Sequence, residues 1–178
     1  MRRIDHINEE IFEGTQFTDG LDAEECKLLT KMTERRLYEP DEVVVKEGEK
    51  TRDVFALKSG RAEVTKLDDG ANQRKLAELE PGSVFGEIAL ALGTPRSATV
   101  RALEDSELLC IDGGALQTLR NSGKIVAYKV EHNIFRMLAE RQAQLNSELL
   151  ELMDDPDDSQ FQRKPSHIRK RLLEKWTF

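Results

Sequence analysis

The first hydrophobic pattern in the chain has a helical period and lies before residue 38. Asp22 can cap a helix, and Glu25 can reach back to it from three residues on, which is the pattern of a capping box. The apolar positions that follow at helical spacing are Leu28, Leu29 and Met32. We therefore interpret residues 1–37 as an N-terminal helical segment that packs on the structure that follows.

Between residues 38 and 114 the pattern changes to short apolar or alternating runs that are separated by turn signals. The strand candidates are residues 43–45, 54–57, 62–65, 75–79, 98–100 and 107–111. Asp69 and Gly70 stand between two alternating runs, which is a hairpin signal. Many short strands at this spacing predict an antiparallel barrel or jelly roll.

A helical period returns in residues 115–153. The positions of its stripe are Val126, Val130, Ile134, Met137, Arg141, Leu145, Glu148 and Leu152. A helix that is continuous from about residue 124 would be roughly 40 Å long, which is more than a small domain can cover. We therefore expect a homodimer through this C-terminal helix. The alternative is that the helix folds back and buries its stripe within one chain.

Composition and charge narrow the class of protein. Charged residues make up 34% of the chain and hydrophobic residues 38%, and no run approaches the roughly 20 apolar residues of a membrane helix. The N-terminus lacks the apolar core of a secretory signal, so we expect a cytoplasmic protein without a membrane partner. Two cysteines, Cys26 and Cys110, and three scattered histidines predict neither a disulfide framework nor a metal site.

The formal net charge of −7 makes nucleic acid an unlikely partner for the body of the protein. The one basic cluster of the chain lies in a charged tail, residues 154–178, which begins with an acidic run. The alternative function is therefore a nucleic-acid-binding regulator that acts through this basic tail.

Candidate chemistry concentrates in residues 85–100. Gly86 and Ala89 are small residues on either side of Glu87 at the start of a short apolar turn, where free amides and small side chains admit a phosphate. Arg96 follows a Gly-Thr-Pro turn and could pair a phosphate, while Glu87 could accept hydrogen bonds from sugar hydroxyls. This arrangement indicates a receptor for a sugar phosphate. The alternative is a surface Glu and Arg near an ordinary turn.

The same stretch, FGEIALALGTPRSATV, closely resembles the phosphate-binding cassette of cyclic-nucleotide-binding domains, F-G-E-[LI]-A-L followed by P-R-x-A-T-V. Residues 45–49, 54–64 and 79–86 resemble the first strands of that family and the approach to its cassette. The resemblance covers about residues 15–140. It implies an α+β, mainly β fold: an eight-stranded antiparallel β-roll (38–114) between N-terminal helices and a long C-terminal lid or dimerisation helix (115–153).

The resemblance also implies roles for individual residues. Glu87 would accept the ribose 2′-hydroxyl, and Arg96 would pair the cyclic phosphate. The other predicted phosphate and cassette contacts are the amides of Ala89 and Ser97, the Ser97 hydroxyl, Gly86 and Ile88. Val64 and Leu76 would line the purine pocket, or they are plain barrel core. Asn146 and Ser147 could reach the purine edge across a dimer.

The implied function is a non-enzymatic receptor for cAMP or cGMP, with cAMP preferred, and with no cofactor or metal. Ligand binding would move the C-terminal helices, with residues 128–147 as a lid, and an effector protein that the sequence does not identify would read the movement. About 25 residues follow Met153, too few for the DNA-binding module of the bacterial transcription factors. We see no nucleophile–base pair and therefore expect no catalysis.

Overall fold

The computed structural model describes residues 2–4, 12, 15–68 and 72–154, with side chains described for 12, 15–68 and 72–147. The chain divides into two compact units, Met1–Phe135 and Arg136–Phe178. The described strands all lie in the first unit, and the described part of the second is helical. Asp69, Gly70 and the predicted tail after Asp154 lie outside the described residues.

The described strands form two antiparallel sheets. They are β1 (Arg2–Ile4), β2 (Thr33–Tyr38), β3 (Val43–Val45), β4 (Val54–Ser59), β5 (Ala62–Leu67), β6 (Gln73–Leu79), β7 (Val84–Phe85), β8 (Thr99–Ala102) and β9 (Ser106–Ile111). One sheet has the order β1-β2-β9-β4-β7 and the other β3-β8-β5-β6. Strands β2 to β9 are the eight strands of the predicted β-roll, which is confirmed, and β1 extends one sheet beside β2.

In the described part of the chain the α-helices are α1 (Ala23–Lys31), α2 (Glu87–Leu92), α3 (Gly113–Asn121) and α4 (Ile125–Asp154). A 3-10 turn, Gln16–Thr18, precedes α1. The predicted capping box is present, because Glu25 N donates to Asp22 Oδ1 and Asp22 N donates to Glu25 Oε2, both at 2.9 Å. These bonds satisfy two amides that a helix start leaves without intrahelical partners.

The prediction that residues 1–37 are helical is wrong in part. The segment holds α1, but Thr33–Tyr38 is a strand whose whole length pairs with β9. Its sequence, TERRLY, has no apolar run, and its charged side chains are held in ion pairs across the strands and along the strand. Arg35 pairs with Glu107, and Arg36 Nη2 lies 2.9 Å from Glu34 Oε2.

The core of the roll lies between the two sheets. Its buried side chains include Tyr38, Val45, Phe55, Leu57, Phe85, Val100, Leu108 and Cys110. The rings of Phe55 and Phe85 stack with their centroids 5.1 Å apart, an offset arrangement that aromatic pairs favour. β4 pairs with β7 at these two residues. The core therefore holds Phe85 in place, directly before the turn that leads into α2.

The first turns of α4 belong to the first unit, and one face of them is part of its core. Val126, Val130 and Ile134, which the sequence placed in the dimer stripe, are at most 3% exposed, so this part of the stripe is core. Asn133 Nδ2 donates to the carbonyls of Phe17 and Asp19, at 3.0 and 2.9 Å. The large apolar residues that this stretch does expose are Ile125, Tyr128 and Phe135.

None of the helices in the described part of the chain has the length and apolar character needed to cross a membrane.

Candidate functional site

The site is built on the turn that joins β7 to α2. Gly86 caps α2 with φ at 88°, in the left-handed region that glycine adopts without steric cost. A Cβ on this residue would lie 2.6 Å from Arg96 Nη1 and 2.6 Å from the Asp53 carbonyl oxygen. Both the backbone angle and the close approach therefore require glycine.

The backbone of Arg96 is fixed to the turn that follows β3. Arg96 N donates to the Glu49 carbonyl at 2.8 Å, and Gly48 N donates to the Arg96 carbonyl at 2.9 Å. These two hydrogen bonds join distant parts of the chain and fix the position of the Arg96 backbone, from which its side chain extends.

The Arg96 guanidinium is buried, with 4% of the residue exposed. Its Nε donates to Thr51 Oγ1 at 2.9 Å, and its Nη1 donates to the Gly86 carbonyl at 3.1 Å. Within the part of the chain that the structure describes, Nη2 is also buried and makes no hydrogen bond. Since an unsatisfied buried donor is costly, this nitrogen marks a place where an anion would bind favourably.

The charge state of Arg96 follows from its surroundings. Burial lowers the pKa of the guanidinium, and the nearby negative charges of Asp53, Glu49 and Glu87 oppose that effect. The guanidinium carbon lies 5.6 Å from the centroid of the Phe55 ring, within cation–π range. Because arginine keeps its proton in proteins, the site offers a fixed positive charge in a partly desolvated place.

Glu87 is the first residue of α2 and is 4% exposed. The buried Glu87 carboxylate therefore follows directly on Gly86, whose carbonyl accepts a hydrogen bond from the buried Arg96 guanidinium. The structure brings together Gly86, Glu87 and Arg96, as the sequence predicted. One charged group of each sign suits a ligand that carries both hydroxyls and a phosphate.

The remaining cassette residues lie around these three. Ala89 is buried on α2, whereas Ile88 is exposed on the same helix and Ser97 is exposed directly after Arg96. Their contacts with a ligand stay predictions.

The two predicted purine-pocket residues lie on neighbouring strands in different environments. Val64 is half-buried and packs against the core between the sheets, in agreement with the alternative that it is barrel core. Leu76 is 59% exposed. The register pairs Val64 with Ala77 and Thr65 with Lys75, so Leu76 is the extra residue of a β-bulge.

Asn146 lies on α4 in the second unit, where its Oδ1 accepts a hydrogen bond from Gln142 Nε2 at 2.8 Å. Its role in contacting a base, like that of Ser147, stays a prediction.

Three residues of the site were not predicted from the sequence: Thr51, Asp53 and Phe55. They reach Arg96 from the loop after β3 and from β4, more than 40 positions earlier in the chain. A hydroxyl in a charged loop gives no sequence signal of this contact, because the contact depends on how the strands pair.

Two other features lie apart from this site. Burial raises the pKa of the Cys110 thiol to about 12, so this cysteine is an unreactive part of the core. A cavity of about 380 Å³ is lined by Leu37, Tyr38, Glu39, Ser59, Asp105, Ser106 and Glu107. It includes none of the cassette residues, and we therefore place the site by its buried charges and not by this cavity.

The described residues contain no cluster of His, Cys, Asp and Glu side chains suited to a metal ion.

Comparison with known proteins agrees with the geometry. A family model described as "Cyclic nucleotide-binding domain" matches residues 35–123. The Cyclic AMP receptor protein of Thermus thermophilus is 32% identical over 136 residues, which are 76% of this chain and 61% of that protein. A cAMP-dependent protein kinase regulatory subunit of Blastocladiella emersonii is 30% identical over 94 residues, 53% of this chain and 23% of the relative. The chain thus spans less than two thirds of either relative.

A solved structure shows the same fold at low identity. The crystal structure of a cyclic nucleotide-binding domain from Methylobacillus flagellatus superposes with a TM-score of 0.70, at 19% identity, over 80% of this chain and 84% of that one. The matched family model covers the β-roll, the cassette and α3, where Gly86, Glu87 and Arg96 come together. The chain therefore belongs to the cyclic nucleotide-binding domain family.

Proposed function

We propose that this protein is a cyclic-nucleotide receptor that holds its ligand between Glu87 and Arg96 and does not turn it over. The observation that carries the proposal is the buried Arg96 guanidinium, whose Nη2 is inaccessible to solvent and makes no hydrogen bond within the described residues. A cyclic phosphate supplies the negative charge and the acceptor oxygens that this nitrogen requires.

The ribose is assigned to the other buried charge. Glu87 lies at the start of α2 and is buried, so its carboxylate can accept a hydrogen bond from a 2′-hydroxyl away from competing water. The backbone amides of Ala89 and Ser97 and the Ser97 hydroxyl complete the phosphate contacts in this proposal. The ligand then joins the two charged groups, one at the start of α2 and the other after its end.

We assign cAMP as the preferred ligand over cGMP. The support is the similarity to two proteins whose names refer to cAMP, a Cyclic AMP receptor protein and a cAMP-dependent protein kinase regulatory subunit. A cGMP-dependent protein kinase of Eimeria tenella is also 30% identical, over 129 residues. The binding experiment described below therefore compares cAMP with cGMP.

Signal output would follow from differential affinity. The ligand binds one placement of the C-terminal helices more tightly than another, which shifts the population towards that placement. We assign the moving lid to residues 128–147 and expect an effector protein to read its position.

A second copy of the chain is the proposed partner of α4. The support is the set of large apolar side chains that α4 exposes in the first unit, Ile125, Tyr128 and Phe135, at 50% or more. Their spacing of three and seven residues places them on one face, opposite the buried Val130 and Ile134. This face differs from the stripe that the sequence suggested for the dimer, of which Val130 and Ile134 are buried.

Titration calorimetry with cAMP, cGMP and 5′-AMP tests the receptor function. We expect saturable binding of both cyclic nucleotides, tighter binding of cAMP, and no comparable binding of 5′-AMP. Chromatography of the nucleotide after long incubation should recover it unchanged. Absence of binding at millimolar concentrations of both cyclic nucleotides would contradict the receptor function, and conversion of the nucleotide would contradict the non-enzymatic role.

A further inference from the structure

Thr51 lies in the loop between β3 and β4, 45 positions before Arg96, and its hydroxyl is the acceptor for Arg96 Nε. We infer that Thr51 is a positioning residue that aims the Arg96 guanidinium at the phosphate of the ligand. The inference rests on the proposed function, since it names a further determinant of affinity at the same site.

The hydrogen bonds of Arg96 fix the plane of its guanidinium. Thr51 Oγ1 accepts from Nε at 2.9 Å, and the Gly86 carbonyl accepts from Nη1 at 3.1 Å. A guanidinium is a rigid plane, so two bonds on two of its nitrogens determine where the third nitrogen points. The third is Nη2, which makes no hydrogen bond within the described residues and remains to bind an anion.

The chemistry of the threonine side chain suits this task. A hydroxyl accepts the Nε hydrogen bond without carrying charge, so it orients the guanidinium without neutralising it. A carboxylate in its place would hold the arginine more strongly and would also repel a phosphate at short range. The carboxyl group of nearby Asp53 lies within reach of a different donor, the amide of Gly113, at 3.4 Å.

The loop that carries Thr51 is itself held by α3. Arg52 Nη1 donates to Gln117 Oε1 at 3.0 Å. At the start of α3, a Cβ on Gly113 would lie 2.2 Å from the Arg52 carbonyl oxygen, which shows how closely the loop backbone packs there. Residues 51–53 are therefore held between the Arg96 side chain and α3. This support gives Thr51 a defined position although its side chain lies at the surface.

A ligand-free measurement tests the positioning directly. In ¹H–¹⁵N spectra of the free protein, the Arg96 Nε–H signal, assigned through Arg96→Lys, should exchange slowly with solvent. Thr51→Val keeps the shape of the side chain and removes the acceptor, so the signal should shift and exchange several-fold faster. Thr51→Ser restores the hydroxyl and should restore slow exchange. Unchanged exchange in Thr51→Val would overturn the inference.

Affinity measurements then test the consequence for the ligand. Thr51→Val should weaken cAMP binding about ten-fold, and Thr51→Ser should stay within about two-fold of the parent protein. The loss should be equal for cAMP and 2′-deoxy-cAMP, because Thr51 acts at the phosphate and not at the ribose. In an Arg96→Lys background, which lacks the Nε–H donor, Thr51→Val should add little further loss.

Thr118→Val is the matched control. Thr118 is an exposed residue of α3 whose hydroxyl donates to the Gly114 carbonyl, and its replacement should leave cAMP affinity unchanged. Equal affinity of the parent protein and Thr51→Val would refute the positioning role while leaving the receptor function intact. A parent protein that binds no cyclic nucleotide would instead contradict the receptor function, and the Nε–H exchange alone would then decide the role of Thr51.

Discussion

At the scale of single residues, the unusual feature is a pair of opposite charges inside a small β-roll. Arg96 and Glu87 are each only 4% exposed, whereas most charged side chains of a soluble domain stay in water. Removing either charge from water costs several kcal/mol unless hydrogen bonds and partners compensate. A ligand that bonds to both groups adds partners for them, so binding affinity should depend strongly on each residue.

Replacing Arg96 with alanine should weaken cAMP binding about thirty-fold or more. Truncating one side of a desolvated charge pair costs roughly 2–5 kcal/mol, and about 1.4 kcal/mol corresponds to a factor of ten in affinity. Titration calorimetry measures the change. The control is Arg74→Ala, because Arg74 pairs with Asp68 on the surface with 73% of its side chain exposed. Equal affinities of the parent protein and Arg96→Ala would remove Arg96 from the site.

Replacing Glu87 with alanine should weaken binding of cAMP and should have much less effect on 2′-deoxy-cAMP. A hydrogen bond to a charged group contributes roughly 1.5–3 kcal/mol, and the deoxy ligand has already lost its donor. A thermodynamic cycle over both proteins and both ligands measures the coupling. If the losses are fully additive, Glu87 does not contact the 2′-hydroxyl.

At the scale of elements, the turn into α2 matters more than the helix itself, which is only six residues long. Gly86 and Gly82 flank β7, and both have left-handed backbone angles, φ of 88° and 91°. Only Gly86 lies against the Arg96 side chain and the Asp53 carbonyl, whereas a Cβ on Gly82 would meet nothing within 4 Å. Substituting either glycine introduces backbone strain, but only a substitution at Gly86 also disturbs the site. Comparing the two variants therefore distinguishes the two effects.

Gly86→Ala should abolish or severely weaken cAMP binding, because the new methyl group must displace the Arg96 guanidinium or the backbone near Asp53. Gly82→Ala should retain binding and lose only about 1–2 kcal/mol of stability from left-handed strain. Calorimetry and thermal unfolding of both variants make the comparison. Equal effects of the two substitutions on affinity would show that the close approach at Gly86 is not important for the site.

At the scale of the whole molecule, the question is what covers the outer face of α4. The inner face packs within the first unit through Val126, Val130 and Ile134. Lys129 on the same helix pairs with Glu25 at 2.6 Å, which adds an electrostatic contact between α4 and α1. The exposed Ile125, Tyr128 and Phe135 lie on the opposite face, where a second chain could bury them.

The double substitution Tyr128→Glu with Phe135→Glu should convert a dimer into a monomer without unfolding it. Two charges in an apolar interface are costly to bury, but on the free surface of α4 they are solvated. Val130→Glu is the contrasting variant, since Val130 is fully buried and a charge there should strongly lower the unfolding temperature. Sedimentation and thermal unfolding report the two outcomes. A parent protein that is monomeric at high micromolar concentration, with and without cAMP, would refute the dimer.

Elements whose signals are local could be predicted from the sequence. The capping box at Asp22 and Glu25, six strand segments of the roll and the cassette with Gly86, Glu87 and Arg96 were predictable because they depend on spacing along the chain. A left-handed turn also has a local signal, since it needs a glycine. The same information identified the family and with it the fold class.

Tertiary structure alone decided the features that depend on pairing between distant segments. The charged strand β2 was missed because its stability comes from register with β9 and from ion pairs such as that of Arg35 with Glu107. The contact of Thr51 with Arg96 joins residues 45 positions apart. Likewise, helical period cannot tell which face of the first turns of α4 is buried, since apolar residues occur on both faces. The packing of the first turns of α4 decides which face is buried. In the folded chain Val130 is buried and Tyr128 is exposed.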